Sequence, residues 1–187
     1  PACARSTEAP RVHEQAADSR SSQPQREPDV PYQPSPQHVV EQMVKLAELR
    51  SGDIVYDLGC GDGRIVIAAV ATPGVRGVCV DIDPERIRES RENARAAGVY
   101  ERIEFRTEDL FHSRIADATV VMLFLWPEVN LKLRPKLERE LAPGTRIISY
   151  MHDMGEWLPE RRVEVRARRG PSAVYRWTLK PHAKDAG

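Results

Sequence analysis

The chain has 187 residues, with 28 Lys and Arg balanced by 28 Asp and Glu, so its formal net charge is zero. This length allows one domain with a sizeable core. The balanced charge gives no global electrostatic reason to expect a nucleic-acid partner. No apolar run approaches the roughly 18 residues of a membrane span, so we predict no transmembrane segment.

The first 30 residues are rich in Pro, Ser, Gln, Arg and Glu and carry almost no large apolar side chain. Such a segment cannot bury enough surface to offset the entropy of ordering. We therefore predict a disordered tail over residues 1–30 and one folded domain over residues 31–187. Ala2-Cys3-Ala4 is compatible with the remnant of an export or lipoprotein signal. Two localisations stay open: cytoplasmic, or exported and lipid-anchored at Cys3.

Apolar periodicity and turn residues divide the rest of the chain into alternating helices and strands. Ser35 is a good N-cap and Pro36 a good first helical residue for an amphipathic helix that ends near Arg50. A strand, the glycine-rich loop 59–63 and a helix over 65–71 follow. The later predicted elements are strand 76–81, helix 84–97, strands 103–106 and 117–125, helix 127–141, strand 146–150 and a final strand pair, 163–168 and 173–179.

This order of elements predicts an α/β fold: a doubly wound, mostly parallel, seven-stranded sheet that ends in a C-terminal antiparallel hairpin. Helices should cover both faces of the sheet. Pro135 should kink or split its helix. In such a sheet, ligands lie at the carboxyl ends of the strands.

A glycine-rich loop follows the first strand and is the strongest functional signal in the sequence. Gly59, Gly61 and Gly63 stand at alternate positions, where the absence of Cβ lets the backbone turn sharply and approach a ligand. The third glycine comes one residue too early for the dinucleotide pattern G-x-G-x-x-G. Asp57, two residues before the loop, would repel a pyrophosphate but suits a ligand with an ammonium group. An NAD oxidoreductase is therefore an outside alternative.

The second strand ends at Asp81, 24 positions after Asp57, where a carboxylate can accept hydrogen bonds from both ribose hydroxyls of a nucleoside. Ile82 should lie beside the base, while Asp83 caps the next helix. Cys60 in the loop and Cys79 in the strand have no metal-ligand spacing, and we predict that both fill space as small residues.

The sequence D-x-G-x-G-x-G at residues 57–63 resembles motif I of the class I S-adenosylmethionine-dependent methyltransferases. The resemblance implies a Rossmann-like fold, S-adenosyl-L-methionine as cofactor and S-adenosyl-L-homocysteine as product. It further implies that Asp109 accepts from the adenine amino group and that Leu110 packs on the ring. Cys60 would line the cofactor with the glycines.

Several segments together resemble one branch of these enzymes, the archaeal broad-specificity protein lysine methyltransferases and the mitochondrial ATP synthase c-subunit lysine methyltransferase. The resemblance covers about residues 31–179. The segments are PYQPSP at 31–36, DLGCGDGRIVI at 57–67, FLWPEVNLKLRP at 124–135 and APGTRIISYMHDMGEWLP at 142–159.

The resemblance also implies which residues form the acceptor site. Tyr32 and Ser35 would fold over the cofactor, and Tyr32 would also shape the acceptor site with Phe124, Trp126 and Asn130. Phe124 stands where the family has Tyr, and Trp126 where it has Leu. These departures lie on the acceptor side, so the resemblance implies the cofactor more firmly than the substrate. Apolar residues at a strand end are also typical of core packing.

The sequence therefore predicts an S-adenosylmethionine-dependent N-methyltransferase acting on protein lysine. A lysine amine must lose a proton before it attacks, which costs about 4–5 kcal/mol at pH 7. An apolar channel would lower its pKa. His38, His112 and His152 are isolated in the sequence and give no convincing base, and His152-Asp153 alone completes no metal site.

Two alternatives remain at this point. A small-molecule methyltransferase would use the same cofactor pocket with a different acceptor, and a cofactor-binding module without activity would result if Phe124 and Trp126 closed the acceptor site. For the main prediction and for both alternatives, we expect a monomer that binds no metal.

Overall fold

A computed structural model describes residues 33–167 and 170–181 of the chain. The predicted tail, Cys3 and Tyr32 lie outside the described residues. Within them, no helix is long and apolar enough to cross a bilayer.

In chain order the described elements are α1 (Gln37–Ala47), β1 (Ile54–Leu58), α2 (Arg64–Val70), β2 (Arg76–Asp81), α3 (Pro84–Ala96), a short 3-10 helix (Tyr100–Arg102), β3 (Ile103–Thr107), β4 (Val120–Leu123), α4 (Pro127–Glu140), β5 (Arg146–Tyr150), β6 (Arg161–Ala167) and β7 (Gly170–Thr178). Helices and strands alternate from α1 to β3, and β4 and α4 then lead into three successive strands at the C-terminal end of the described residues.

The strands form one sheet in the order β3-β2-β1-β4-β5-β7-β6. The pairs from β3 through β5 are parallel, whereas β7 runs antiparallel to both β5 and β6. The chain moves outward from β1 to β3 and then crosses back to β4 on the other side of β1. This reversal creates a crevice at the carboxyl ends of β1 and β4, and the predicted doubly wound fold is confirmed.

Successive strand residues point to opposite faces of the sheet and build two cores. On one face, Val55, Val120 and Ile148 pack with the apolar sides of α1, α2 and α3. On the other face, Tyr56 and Leu123 pack with α4 and with the loops that carry Ile115 and Met154. Helices therefore cover both faces, and each core fixes a different set of loops at the carboxyl edge.

The structure bears on two local predictions about helices. Pro135 lies inside a continuous α4, so the split that was one of the two predicted outcomes does not occur. Pro135 and Leu131 are both exposed, so water can satisfy the Leu131 carbonyl that loses its partner. Ser35 does not cap α1. Pro36 is the N-cap, and its carbonyl accepts from the N–H groups of Val39 and Val40.

A buried arginine ties β5 to the end of α1. The Arg146 guanidinium donates to the carbonyl oxygens of Ala47 at 2.6 Å and Glu48 at 2.7 Å, and it pairs with Asp53. Burial favours a raised pKa for Asp53, but hydrogen bonds from Arg146, the Arg50 N–H and Thr119 outweigh it and lower the pKa. The last carbonyls of α1 thus have a partner that β5 supplies.

We expect Arg146→Met to lower the free energy of unfolding by about 3–5 kcal/mol, because the Asp53 carboxylate would stay buried without its partner. Arg161→Met is the matched control. Arg161 pairs with Glu48 at the surface with about half of its side chain exposed, so its loss should cost less than about 1 kcal/mol. Urea unfolding of both variants measures the difference. Equal losses would show that the Arg146 pair does not fasten α1 to the sheet.

Candidate functional site

A cavity of about 830 Å³ opens at the carboxyl edge of the sheet, where the chain reverses direction. Its wall comes from the segment before α1, the glycine loop, and the residues that follow β2, β3, β4 and β5. Such a volume fits a nucleoside with an amino-acid tail.

The glycine loop needs its glycines because the backbone runs close to other elements with positive φ. Gly59 has φ 78°, and a Cβ there would come within 2.7 Å of the Leu125 side chain. Gly63 has φ 79°, and its Cβ would come within 2.8 Å of Ser90 on α3. The three predicted glycines are thus together in one tight turn, although only Gly59 of the three lines the cavity.

Asp57 lies beneath this loop and does not line the cavity. Its side chain is 1% exposed, and it accepts a hydrogen bond from the Val66 N–H in the first turn of α2 at 3.2 Å. Burial raises the pKa of Asp57 to about 8, the Val66 N–H opposes that shift, and the nearby Asp81 and Asp62 add to it. A cationic group in the cavity would favour the ionised form.

Asp81 and Ile82, the residues predicted to lie beside a nucleoside, both line the cavity. Asp81 accepts from the Gly61 N–H at 2.9 Å and from the Asp83 N–H at 3.0 Å. Burial raises the pKa of Asp81, against those two hydrogen bonds. Asp83 accepts from the Glu85 N–H at 2.8 Å, which confirms it as the N-cap of α3.

The acidic turn after β3 brings Asp109 and Leu110 to the cavity wall. One Asp109 oxygen accepts from the Phe111 N–H at 2.9 Å, and the other lies 3.3 Å from the His112 ring. These local contacts hold the turn in shape while Leu110 offers an apolar side chain to the cavity.

The segment before α1 covers one side of the cavity through Ser35. The Arg64 guanidinium donates to the Ser35 carbonyl at 2.8 Å and also pairs with Asp62 in the glycine loop. Ser35 is 2% exposed, and its hydroxyl has no hydrogen-bond partner among the described residues. A ligand in the cavity could satisfy this hydroxyl.

Phe124 and Trp126, the residues predicted for the acceptor site, line the cavity on the side of β4. The Phe124 ring packs against the buried Tyr150 ring with centroids 4.6 Å apart, which fixes its position. Trp126 is the N-cap of α4 and is 49% exposed, so it stands at the rim. Asn130 is different: it is fully buried and lies behind the cavity wall, in contact with the loop after β5.

Sequence reasoning missed several residues that line the cavity. His152, Met151 and Glu128 lie at the aromatic end, and Arg86 and Glu108 lie at the other. His152 is isolated in the sequence, but it follows β5 directly. The rule that strand ends converge at the ligand could have found it.

Comparison with known proteins agrees with this geometry. Residues 57–161 match the model of the ANTKMT methyltransferase domain. A protein-lysine N-methyltransferase of Saccharolobus islandicus is 42% identical over 156 residues, which cover 83% of this chain and 97% of that protein. The chain belongs to this methyltransferase family.

Two further relatives bear on the acceptor. The human lysine N-methyltransferase of the ATP synthase c-subunit is 35% identical over 131 residues, and the match spans 70% of this chain and 55% of that protein. A crystal structure described as an RNA methyltransferase from Salinibacter ruber, in complex with S-adenosyl-L-homocysteine, is 49% identical with a TM-score of 0.75. That match covers 80% of this chain and 95% of the other.

Membership in this family confirms the predicted enzyme class and the predicted cofactor, S-adenosyl-L-methionine. The residues present fit that cofactor: a glycine cradle that a Cβ would fill, the buried Asp57 carboxylate, the partly buried Asp81 carboxylate, and a buried hydroxyl without a partner among the described residues. The roles of the individual residues stay predictions.

The prediction for Cys60 and Cys79 was wrong, because the two form a disulfide in this methyltransferase. The N–H groups of Gly59 and Cys60 both donate to the Val80 carbonyl, which folds the loop back onto β2. The two Cα atoms come within 5.4 Å of each other. The bond ties the glycine loop to the neighbouring strand.

Reduction of this disulfide should destabilise the enzyme. A bond that closes a loop of 19 residues contributes about 3 kcal/mol in the chain-entropy model, or roughly 6–12 °C in melting temperature for a domain of this size. The measurement is thermal melting of Cys3→Ser protein with and without dithiothreitol. The triple variant that also carries Cys60→Ser and Cys79→Ala should not respond to the reductant. Equal melting of oxidised and reduced Cys3→Ser protein would contradict a stabilising bond.

Proposed function

We propose that this methyltransferase transfers the methyl group of S-adenosyl-L-methionine to lysine side chains of proteins. The observation that carries the proposal is the charge of the cavity wall. Six carboxylate side chains line it, against two guanidinium groups. This excess suits a cationic cofactor and a cationic acceptor, and the archaeal relative is named for lysine methylation.

Ser35, Gly59, Cys60, Asp81, Ile82, Asp109 and Leu110 would hold the cofactor. We assign Asp81 to the ribose, because its carboxylate lines the cavity at the end of β2 while backbone N–H groups hold it in place. Asp109 and Leu110 would flank the adenine. When bound, the cofactor supplies a methyl carbon on a sulfonium, and the electron pair of the broken bond stays on sulfur.

Asp57 would act on the cofactor through its charge rather than by direct contact, because it lies under the glycine loop. In the free protein its raised pKa keeps a large share of the carboxyl protonated near neutral pH. A cation at the carboxyl edge would shift it toward the ionised form, with release of a proton.

At the other end, Phe124 and Trp126 would form the channel for the acceptor. Their rings exclude water and lower the pKa of a lysine ammonium, because a charged group loses solvation between them. Asn130 would support this end from behind the wall, since it contacts the loop that carries His152. Tyr32 would fold over the cofactor and complete the wall of the acceptor site.

RNA is a second candidate acceptor, because the relative from Salinibacter ruber is described as an RNA methyltransferase. The carboxylates at the cavity argue against it, since nucleic acid binding requires cationic groups along the phosphate path. We propose a monomer that uses no nucleic acid.

The cofactor assignment predicts that Asp81→Ala weakens S-adenosyl-L-homocysteine binding by roughly one to two decades, because a charged hydrogen-bond acceptor would be lost. Glu92→Ala removes the same charge from the exposed side of α3 and should leave the affinity unchanged. Isothermal titration calorimetry measures both. Wild-type affinity in Asp81→Ala would exclude the ribose assignment.

The acceptor assignment predicts that labelled S-adenosyl-L-methionine transfers methyl groups to lysine in an extract whose proteins have not been methylated. The label should resist ribonuclease and be lost with protease, and mass spectrometry should place it on lysine. Label that ribonuclease removes would support RNA instead. Label in small molecules that pass a filter would support a metabolite acceptor.

A further inference from the structure

The loop after β5 turns sharply at the acceptor end of the cavity. Met151 has φ 70°, a left-handed conformation that residues other than glycine seldom adopt. Its N–H donates to the Ala173 carbonyl at 2.8 Å, and the next N–H, of His152, donates back to the Tyr150 carbonyl at 2.9 Å. Unusual backbone of this kind is concentrated at functional sites, where the surrounding structure holds it.

Asn130 of α4 holds the loop from behind. Its amide nitrogen donates to the Ser149 hydroxyl and to the His152 carbonyl, both at 3.2 Å. The Ser149 hydroxyl donates to the same carbonyl at 2.6 Å. Asn130 and Ser149 are both fully buried, so two rigid elements, α4 and β5, fix the backbone of His152. Asn130 is therefore a positioning residue.

His152 lines the cavity beside Phe124, Trp126 and Glu128, and it is the only histidine among the described lining residues. Burial lowers the pKa of its imidazole below the ordinary 6.5, while Glu128 of α4 and Asp153 of its own loop act in the opposite direction. At neutral pH the ring is therefore uncharged and has a nitrogen that can accept a proton.

We propose that His152 receives the acceptor amine and takes the proton that its ammonium must lose, while the Glu128 carboxylate draws the cationic side chain to the cavity mouth. This inference rests on the proposed function and names the group that sequence reasoning lacked. One proton moves from the ammonium to the imidazole, which leaves a neutral amine with a lone pair. That lone pair would attack the methyl carbon while the bond from that carbon to sulfur breaks and leaves its electron pair on sulfur, and the imidazolium would return its proton to water.

The main test is the pH dependence of kcat/KM for His152→Asn with a lysine acceptor found by the labelling experiment. At pH 7 we expect a loss of roughly 100-fold or more. Much of it should be recovered near pH 10, where the amine loses its proton without help. His38→Gln changes a histidine outside the cavity wall and should keep the wild-type profile. A loss that is equal at every pH, or no loss, would overturn the inference.

The Glu128→Gln variant tests the attraction of the cationic acceptor to the cavity separately from proton transfer to His152. We expect a higher KM for the acceptor with little change in kcat. The acid limb of the profile should also move to lower pH, because the Glu128 charge raises the pKa of His152. An unchanged KM would contradict the role given to Glu128. Asn130→Ala should reduce kcat, with S-adenosyl-L-homocysteine affinity intact, if it only positions the loop.

A binding experiment tests the site without turnover. In NMR spectra of the enzyme with S-adenosyl-L-homocysteine, n-butylamine should shift the His152 imidazole signals at pH 8 and leave those of His38 in place. The signal that disappears in His152→Asn gives the assignment. Unshifted His152 signals would refute the inference whatever the acceptor, whereas shifted signals with methyl transfer only to RNA would refute the proposed function alone.

Discussion

The burial of Asp57 between β1 and the first turn of α2 is the constraint on which the cofactor end depends. A carboxylate at this depth is costly to ionise, and the pKa of about 8 expresses that cost. The Val66 N–H only partly offsets it. A cation nearby would therefore favour the ionised form of Asp57.

The parallel pairing of β2, β1 and β4 places the glycine loop above Asp57 in the wall of a cavity. Because these strands run in the same direction, the residues that follow them meet at one edge of the sheet. Asp81 comes to the cavity after β2, and Phe124 after β4. The disulfide between Cys60 and Cys79 then fastens the glycine loop to β2. The backbone of the glycine loop is consequently held against β2 by a covalent bond and by two hydrogen bonds to the Val80 carbonyl.

Sequence patterns predicted β2 and β5 with their observed bounds, because both are apolar runs between clear turn residues. They failed where tertiary contacts decided the outcome. Serine is a residue type that often caps helices, but Ser35 does not cap α1 because its carbonyl accepts from Arg64 and its backbone is held at the cavity wall. The pairing of Cys60 with Cys79 depends on the loop folding back onto Val80, and the place of His152 depends on strand order. Neither is encoded in local spacing.

The two ends of the cavity belong to different parts of the core, and this division explains where substrate preference can change. The glycine loop is fixed by α2 and α3, whereas Phe124, Glu128 and the loop of His152 are fixed by β4, β5 and α4. The departures from the family pattern at Phe124 and Trp126 lie only at the second end. On the proposed assignment, a change of acceptor needs changes around α4 and β5, while the same cofactor site is retained.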